Sequence, residues 1–340
     1  MNPLLSIIIP VYNVSRYLPD TLDTLSSQEG LDECEIICID DGSTDTSLQI
    51  LQSYKDRIPN LKIVSKQNEG VSATRNTGIS MSEGKFISFI DADDLLHPHA
   101  LRLILNEIRK GDADIICWRY RPFYSKPEYS DLADTGIIEI SNKNLEAFDI
   151  MADKGIAVGI YLKGIKRELF FTPDVRFDTS MTYGEDMFVS WKCVLKAEKI
   201  ILIDRPLYYY RQTSNSAVTR YHKDLYEKYA NATEDIKLYL KQIGKYTEAY
   251  SRIADYHLTM RLPALTMMEY RAPYSKDQKR ERLSTILKDR RISNTLANME
   301  SPDSYIFKLA RQGDINGMLR NARIASLKTK ILTPIKRLIK

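Results

Sequence analysis

Residues 85–94 read Lys85-Phe86-Ile87-Ser88-Phe89-Ile90-Asp91-Ala92-Asp93-Asp94, an apolar run that ends in three carboxylates. A second apolar run, residues 35–39, ends in Asp40-Asp41-Gly42-Ser43-Thr44-Asp45. Short runs of this kind predict buried strands, and open α/β sheets bind ligands at the carboxyl ends of their strands. A third acidic pair, Glu185-Asp186, begins an apolar helical segment. Carboxylates that share one crevice repel each other, so the sequence predicts a divalent metal with a phosphorylated ligand between them.

Strands and helices alternate along the first half of the chain, which predicts an α/β fold with a mostly parallel, doubly wound sheet. Residues 120–140 have an irregular pattern that predicts a loop or a small hairpin, and residues 145–151 predict a helix. Beyond about residue 224 the pattern is helical to the end. The predicted strands are residues 4–9, 35–39, 61–65, 86–90, 115–118, 200–203 and 207–210.

The composition is that of an ordinary globular protein, with 340 residues, 43% of them hydrophobic and 28% charged. A net charge of +4 gives no indication of nucleic-acid binding. Cys34, Cys38, Cys117 and Cys193 form no CxxC pair, which favours buried free thiols over zinc ligands or disulfides. The amino terminus has no signal-peptide pattern, and no segment approaches the length of a transmembrane helix. These features predict a cytoplasmic protein.

Asp91-Ala92-Asp93-Asp94 is the sharpest local signal. If the backbone is extended there, Asp91 and Asp93 face the same side. Hard carboxylate oxygens suit Mn²⁺ or Mg²⁺, which also bind phosphate oxygens. The alternative interpretation is that Asp93 or Asp94 caps the helix that follows. A cap accounts for one of the acids and leaves the others unexplained.

Three positions near the first strands have both a functional and a structural interpretation. Tyr12 could stack on a flat base or pack on the sheet edge. Asp41 could accept hydrogen bonds from a base or a ribose, although such turns also cap helices. Arg75 lies among the small residues of segment 70–78. It could present its donor fork to the nucleotide, whereas the small residues alone could serve close helix–sheet packing.

Two later motifs are equally ambiguous. Glu185-Asp186 suits the positive end of the helix that it begins, or supplies a general base. Arg211 follows an apolar strand, where it could offset phosphate charge or lie on the surface of an edge strand.

Taken in order, five motifs resemble those of the inverting family-2 glycosyltransferases with the GT-A fold, in the branch that builds bacterial cell-surface polysaccharides. They are Ser6-Ile7-Ile8-Ile9-Pro10-Val11-Tyr12-Asn13, Ile39-Asp40-Asp41-Gly42-Ser43-Thr44-Asp45, Gly70-Val71-Ser72-Ala73-Thr74-Arg75-Asn76, Phe89-Ile90-Asp91-Ala92-Asp93-Asp94 and Gly184-Glu185-Asp186. The resemblance covers roughly residues 4–216. It implies a glycosyltransferase domain over residues 1–220, with nucleotide-sugar binding in 1–118 and the acceptor side and catalytic base in 119–220. Residues 221–340 are predicted to form a helical carboxyl-terminal region.

The resemblance also implies roles for individual residues. A nucleotide-sugar donor, expected to carry UDP, would be bound by Pro10, Tyr12, Asp41, Arg75, Asp91, Ala92 and Arg211. Asp93, with Asp91, would hold Mn²⁺ or Mg²⁺. Asp186, supported by Glu185, would take the proton of an acceptor hydroxyl as that oxygen attacks the anomeric carbon, which inverts the configuration. The acceptor would be a glycan or a lipid-linked sugar.

Residues 319–340 contain basic residues and no acidic ones, with Leu, Ile and Ala at helical spacing. This pattern predicts either peripheral contact with the anionic inner face of the cell membrane or a packed terminal helix. Two other functions remain open. A sugar nucleotidyltransferase would need a glycine-rich phosphate loop with a lysine after the first strand, and segment 10–13 has none. A catalytically inactive sugar-binding or scaffold subunit would have no need of Asp93 and Asp186.

Overall fold

The computed structural model describes residues 2–129, 132, 136–141, 148, 156, 159–181, 183–213, 221–299 and 304–338, with the backbone alone at 141 and 328–338. The chain divides into two compact units, Met1–Arg211 and Gln212–Lys340. The division falls after Arg211, whereas the sequence pattern places a boundary at residue 220. The helix predicted at residues 145–151 lies outside the described residues apart from position 148.

The first unit is built on a mixed sheet, whose described strands follow the order β3-β2-β1-β4-β8-β6-β9-β5, with β7 paired to β9. The strands β1–β4 pair in parallel, whereas β8 is antiparallel to both of its neighbours. The predicted α/β class is confirmed, and the parallel pairing is concentrated in the amino-terminal half. The strands β1 to β9 are Leu5–Val11, Cys34–Asp40, Leu61–Ser65, Phe86–Phe89, Leu95–Leu96, Ile115–Phe123, Ile137–Ser141, Lys163–Lys166 and Lys199–Arg211.

The apolar runs become central strands because both of their faces are covered. Every residue of β2 is buried, and β4 is buried throughout. Near-continuous apolar runs of this kind are typical of parallel strands with helices on both faces. The carboxyl ends of β1, β2 and β4 therefore reach the same edge of the sheet, where they deliver Tyr12, Asp41 and Asp91.

The first strand does not end at Pro10, as the sequence suggested, but continues to Val11. Its pairing with β4 stops at Ile8, so beyond that residue β1 pairs with β2 alone. Proline is tolerated there because it can lie at a strand position that needs no N–H donor on the open side.

The strand β9 replaces the two short strands predicted at 200–203 and 207–210. Its pairing with β6 shifts register twice around Arg119, and Pro206 lies at this irregularity. A bulge accommodates the proline and keeps one continuous strand. The strand β6 extends to Phe123 and β7 begins at Ile137, so the predicted loop or hairpin is wrong at both ends. The two strands pair with β9 and not with each other.

Helices of the first unit pack close to the sheet. A Cβ atom on Gly78 would lie 2.4 Å from the Ile8 side chain. The small residues in the helix Val71–Met81 therefore permit close packing on β1. The four cysteines are buried and unpaired, as predicted. The helices α1 to α6 are Leu18–Ser26, Ser47–Ser53, Val71–Met81, Ala100–Lys110, Arg167–Phe170 and Glu185–Lys196.

The second unit is helical over the described residues, as the sequence pattern predicts. Ser275 and Gln278 form a capping box at the start of one helix, and Asp289 caps the next. Within the described range, no helix combines the length and the apolar character needed to cross a membrane. The helices α7 to α13 are Leu225–Gln242, Glu248–Thr259, Leu262–Arg271, Lys276–Lys288, Arg290–Asn298, Tyr305–Arg311 and Ile315–Leu338.

Candidate active site

The acidic segment after β4 is a turn and not the extended backbone expected from its alternating acids. The Asp94 N–H donates to the Asp91 carbonyl at 3.0 Å, which closes the turn. The carbonyl of Ala92 accepts a hydrogen bond from the Thr21 hydroxyl at 2.9 Å, so helix α1 also holds the turn. The three carboxylates therefore leave the turn in different directions and enter different surroundings.

The carboxylate of Asp94 is sealed inside the protein. It accepts the Tyr208 hydroxyl at 2.7 Å and the backbone N–H of Arg211 at 2.6 Å, and it has no exposed surface. The Tyr208 oxygen in turn accepts the Asp91 N–H at 3.1 Å. Burial, then the charges of Asp93 and Asp91, raises the pKa of Asp94 well above its usual range. Asp94 thus fastens the turn to strand β9, and the helix cap weighed for it from the sequence is wrong.

Arg211 fastens the same turn from the other side. Its Nε donates to the Asp93 carbonyl at 2.6 Å and its Nη2 to Asp20 Oδ2 at 2.9 Å. The guanidinium lies 5.0 Å from the Tyr17 ring centroid and 4.8 Å from that of Phe123. The side chain is buried, so it is not the exposed edge arginine considered from the sequence. Two of the three guanidinium nitrogens, Nε and Nη2, thus donate to protein atoms. A contact between the third nitrogen, Nη1, and the diphosphate stays a prediction.

Arg75 joins two acidic segments that are far apart in the chain. Its Nη2 donates to Asp91 Oδ1 at 3.2 Å, and its Nη1 donates to Glu185 Oε1 at 3.1 Å. The guanidinium is buried and lies 5.3 Å from the Phe177 ring centroid. Burial alone would lower the pKa of Arg75, but the charges of Asp91, Glu185 and Asp186 raise it above its ordinary value. The two acidic segments therefore meet at one fully charged guanidinium.

The acidic pair Glu185-Asp186 begins helix α6. Gly184 precedes it with φ = 83°, a left-handed backbone conformation that glycine adopts without strain and that turns the chain into the helix. Asp186 Oδ1 accepts the N–H of Met187 at 2.7 Å, and its side chain is half-buried. Burial, then the Asp186 charge, raises the pKa of Glu185, and Arg75 opposes both. Glu185 is thus held by Arg75, whereas Asp186 keeps a carboxylate oxygen without a protein partner among the described residues.

The Asp93 carboxylate is the most available of the acidic turn. No other described residue donates a hydrogen bond to it, and its side chain is half-buried. Burial, then the Asp91 charge, raises the pKa of Asp93 to about 6, although Arg211 lowers it. A hard-oxygen ligand with these properties fits Mn²⁺ or Mg²⁺. No group of three potential ligands lies close enough to hold a metal within the described ranges. Mg²⁺ commonly takes only one or two protein carboxylates and completes its shell with phosphate and water.

The residues near β1 and β2 that are predicted to bind the nucleotide differ in exposure and in the hydrogen bonds that they already make. The Tyr12 side chain is 51% exposed just past the strand end, so about half of its surface is available to a flat base. Pro10 lies one position before Val11, at the same edge. Asp41 is buried, and its oxygens accept Lys66 Nζ at 2.6 Å and the N–H groups of Glu69 and Gly70. Burial raises the pKa of Asp41, but these hydrogen bonds lower it overall. Asp41 therefore also fixes the loop that leads to Arg75.

Sequence reasoning missed Tyr208, Asp20 and Tyr161. Tyr208 belongs to the aromatic run that precedes Arg211, and nothing local shows that its hydroxyl reaches the acidic turn. Tyr161 lies over the Tyr208 ring with centroids 4.9 Å apart. The alternation of β9 offers a partial signal, because Tyr208 and Tyr210 must share one face.

The mixed sheet and its flanking helices define the fold class, which is the GT-A fold. Residues 6–167 match the family model described as Glycosyl transferase family 2. The family's pattern is therefore present over slightly less than half of the chain, and the resemblance seen in the motifs is confirmed over that range. The matched range contains the first two acidic clusters and ends before Glu185-Asp186.

Two relatives and one solved structure illustrate the similarity. The uncharacterized glycosyltransferase EpsJ of Bacillus subtilis is 28% identical over 64% of this chain and 63% of EpsJ. The minor teichoic acid biosynthesis protein GgaA of the same organism is 34% identical over 62% of this chain and 47% of GgaA. The chain thus spans less than two thirds of either relative. The structure of S. aureus TarS 1–349 with UDP has a TM-score of 0.63 at 20% identity, covering 95% of this chain and 91% of TarS 1–349. At that identity the likeness shows the fold alone.

Proposed function

We propose that this protein transfers a sugar from a UDP-linked donor to a hydroxyl of a glycan or lipid-linked acceptor, with inversion, during the synthesis of a surface polysaccharide. The observation that carries the proposal is the Arg75 bridge, which joins Asp91 on the donor side to Glu185 beside the expected base. The complexes of TarS with UDP and with UDP-GlcNAc support a UDP-sugar donor. The teichoic acid role in the name of GgaA supports a cell-envelope polymer.

Asp93 and Asp91 would hold the Mn²⁺ or Mg²⁺ ion. Both are hard-oxygen ligands on one turn, and Asp93 has a carboxylate to which no other described residue donates a hydrogen bond. When bound, such an ion supplies positive charge that stabilises the leaving diphosphate. The protein's own contribution is to hold this turn rigidly, through Tyr208 on Asp94 and Arg211 on the Asp93 carbonyl.

Asp186 would act as the general base. Its free oxygen accepts the proton of the acceptor hydroxyl while that oxygen forms a bond to the anomeric carbon and the bond to the diphosphate breaks. Glu185 is already paired with Arg75, so it positions the segment and is not available for proton transfer. Tyr12, with its exposed ring, would stack on the uracil.

A screen of nucleotide sugars, with and without Mn²⁺, tests this proposal through the release of nucleoside diphosphate. We expect turnover with at least one UDP-sugar and a rate that depends on the metal. Asp186→Asn should lower kcat by about 10²–10⁴-fold, the usual contribution of a general base. Asp277→Asn changes a highly exposed carboxylate of the helical unit and serves as the matched control. With pyrophosphate added, a nucleotidyltransferase would instead convert the nucleotide sugar and pyrophosphate to nucleoside triphosphate and sugar 1-phosphate. No turnover with any donor under either condition would identify a binding subunit.

We also propose that helix α13 contacts an anionic membrane surface, which would bring the enzyme to a lipid-linked acceptor. Ile324 and Leu327 are exposed on this helix, next to Arg320 and Arg323. Burying two such aliphatic side chains in a membrane interface is worth up to about 1.5–3 kcal/mol each. The double variant Ile324→Ser, Leu327→Ser should therefore bind phosphatidylserine vesicles at least about tenfold more weakly. Leu238→Ser, which changes an equally exposed leucine on α7, should not affect binding. Equal binding of all three proteins would refute the contact.

A further inference from the structure

One face of the sheet carries four tyrosines in a row. Tyr120 on β6 pairs with Tyr208 on β9, and strand alternation puts Tyr210 on their face. Tyr161, in the 3₁₀ turn Ile160–Leu162, lies over both β9 rings, with centroid distances of 4.9 Å to Tyr208 and 5.9 Å to Tyr210. Tyr120 meets Tyr210 edge-on at 6.3 Å. We call these four residues the tyrosine row.

The tyrosine row lies between the acidic turn and the expected base. At one end, the Tyr208 hydroxyl bonds Asp94 Oδ2 and the Asp91 N–H. At the other end, the 3₁₀ turn that carries Tyr161 packs against helix α6, which begins with Glu185-Asp186. Burial, then the Asp186 charge, raises the pKa of the Tyr161 hydroxyl. The space beside the row is therefore the space between the metal-binding carboxylates and the base, where an acceptor hydroxyl must lie to react.

The row changes from buried to accessible along its length. Tyr208 is fully buried, Tyr161 and Tyr210 are half-buried, and Tyr120 is 41% exposed. The hydroxyls of Tyr161 and Tyr210 receive and donate no hydrogen bond within the described part of the chain. Each hydroxyl can donate one hydrogen bond and accept others, and neither is among the buried polar atoms without a partner, so both are accessible to a polar ligand.

We propose that Tyr120, Tyr161 and Tyr210 bind the acceptor as a neutral pyranose ring. The inference rests on the proposed glycosyl transfer and specifies the acceptor class. A pyranose has an apolar C–H face, which packs on the electron-rich face of an aromatic ring, and hydroxyls at its edge for the tyrosine oxygens. Asp91 is paired with Arg75, and Asp93 would hold the cation. Asp186 is therefore the carboxylate that leaves this space negative, and it would repel a phosphate-bearing polyol or an acidic sugar.

Saturation-transfer NMR on the full-length protein, with UDP and diamagnetic Mg²⁺ present, tests the assignment. The probes are methyl β-glucopyranoside, methyl β-galactopyranoside and methyl N-acetyl-β-glucosaminide, with ribitol 5-phosphate as the phosphorylated polyol. We expect at least one pyranoside to receive saturation through its ring C–H protons and ribitol 5-phosphate to receive none. Tyr120→Ala should weaken that signal about fivefold, whereas Tyr210→Phe, which keeps the ring, should weaken it less than Tyr210→Leu.

Tyr246→Ala provides the control, because Tyr246 is 42% exposed and lies in the helical unit. Circular dichroism establishes that each variant is folded. The assignment is overturned if no pyranoside gives a signal, if the polyol phosphate binds as well, or if Tyr120→Ala and Tyr246→Ala behave alike. Donor hydrolysis by the wild-type protein is measured in parallel. Hydrolysis without row-dependent pyranoside binding refutes the acceptor assignment alone. Row-dependent binding without hydrolysis refutes the transfer reaction and leaves the sugar site in place.

Discussion

Removing the single oxygen of Tyr208 should loosen the acidic turn. In Tyr208→Phe the Asp94 carboxyl loses one of its two hydrogen-bond partners, at 2.7 Å, and the Asp91 N–H loses its acceptor at 3.1 Å. A hydrogen bond to a carboxyl is worth about 1–3 kcal/mol, and an unsatisfied buried donor costs about 1–3 kcal/mol. Because solvent can partly replace the second contact, we expect a loss of about 3 kcal/mol in the free energy of unfolding of the first unit.

Thermal melting followed by tryptophan fluorescence measures this loss. The two tryptophans, Trp118 and Trp191, are buried in the first unit, so their emission reports on that unit alone. For a unit of this size, about 3 kcal/mol corresponds to a fall in Tm of roughly 6–12 °C. Tyr210→Phe removes a hydroxyl for which the described residues offer no partner, and its Tm should change by less than about 3 °C. A Tyr208→Phe shift no larger than that of the control would mean that the hydroxyl does not hold the turn.

Three further outcomes are expected. Asp93→Asn should abolish Mn²⁺ binding in calorimetric titration. In the wild type, whose Asp93 pKa is about 6, the affinity should fall roughly fivefold between pH 6 and pH 5, because the ion must displace a proton. Burial raises the pKa of Asp289, but hydrogen bonds from Arg291 and Tyr226 lower that pKa to about 2 overall. The ionised Asp289 carboxylate therefore stabilises the folded state fully above pH 4, and this stabilisation is lost as the pH falls through 2. Asp289→Asn should therefore cost about 2 kcal/mol at pH 7 in urea unfolding followed by circular dichroism, and nearly nothing at pH 2. Arg75→Lys, which replaces a two-pronged donor with a point charge, should cost at least about 3 kcal/mol in the tryptophan-monitored melt; a smaller loss would show that one ammonium can serve both carboxylates.

The strands β1, β2 and β4 were predictable because each is a short apolar run buried on both faces, so the local pattern and the tertiary environment agree. The strand β3 was predicted from its short apolar run, although only Leu61 in it is buried. The strand β9 was predicted in two pieces because Asp204, Arg205 and Pro206 interrupt its apolar run. What keeps it continuous is its bulged pairing with β6, and pairing between strands more than 80 residues apart leaves no mark on the local sequence. The extension of β6 to Phe123 was missed for the same reason, since Arg119, Tyr120, Arg121 and Pro122 are exposed and carry no apolar signal.

The sequence predicted that the acidic segments lie close together, but it did not predict which hydrogen bonds and ion pairs connect them. Strands that end in acids must bring those acids to one edge of a parallel sheet. The contact of Arg75 with Glu185 spans 110 positions and depends on the approach of helix α6, which no strand-end argument specifies. Asp41 was predicted as a free acceptor for the nucleotide, but the position of Lys66 and of the N–H groups of the following loop decides how much of that carboxylate remains free.

The acidic turn shows how neighbouring residues of one chemical type acquire different functions. Asp91 is tied to Arg75, Asp94 is sealed by Tyr208 and the backbone of Arg211, and Asp93 is left without a donor from another described residue. The donors that distinguish them come from α3 and β9, not from the turn itself. Because protein donors hold the carboxylates of Asp91 and Asp94, that of Asp93 can gain or lose a proton, or bind a cation, without moving the backbone. From the sequence, Arg211 is the only residue of β9 expected at the site. In the structure, β9 also supplies Tyr208, which holds the acidic turn, and Tyr210, which belongs to the proposed acceptor site.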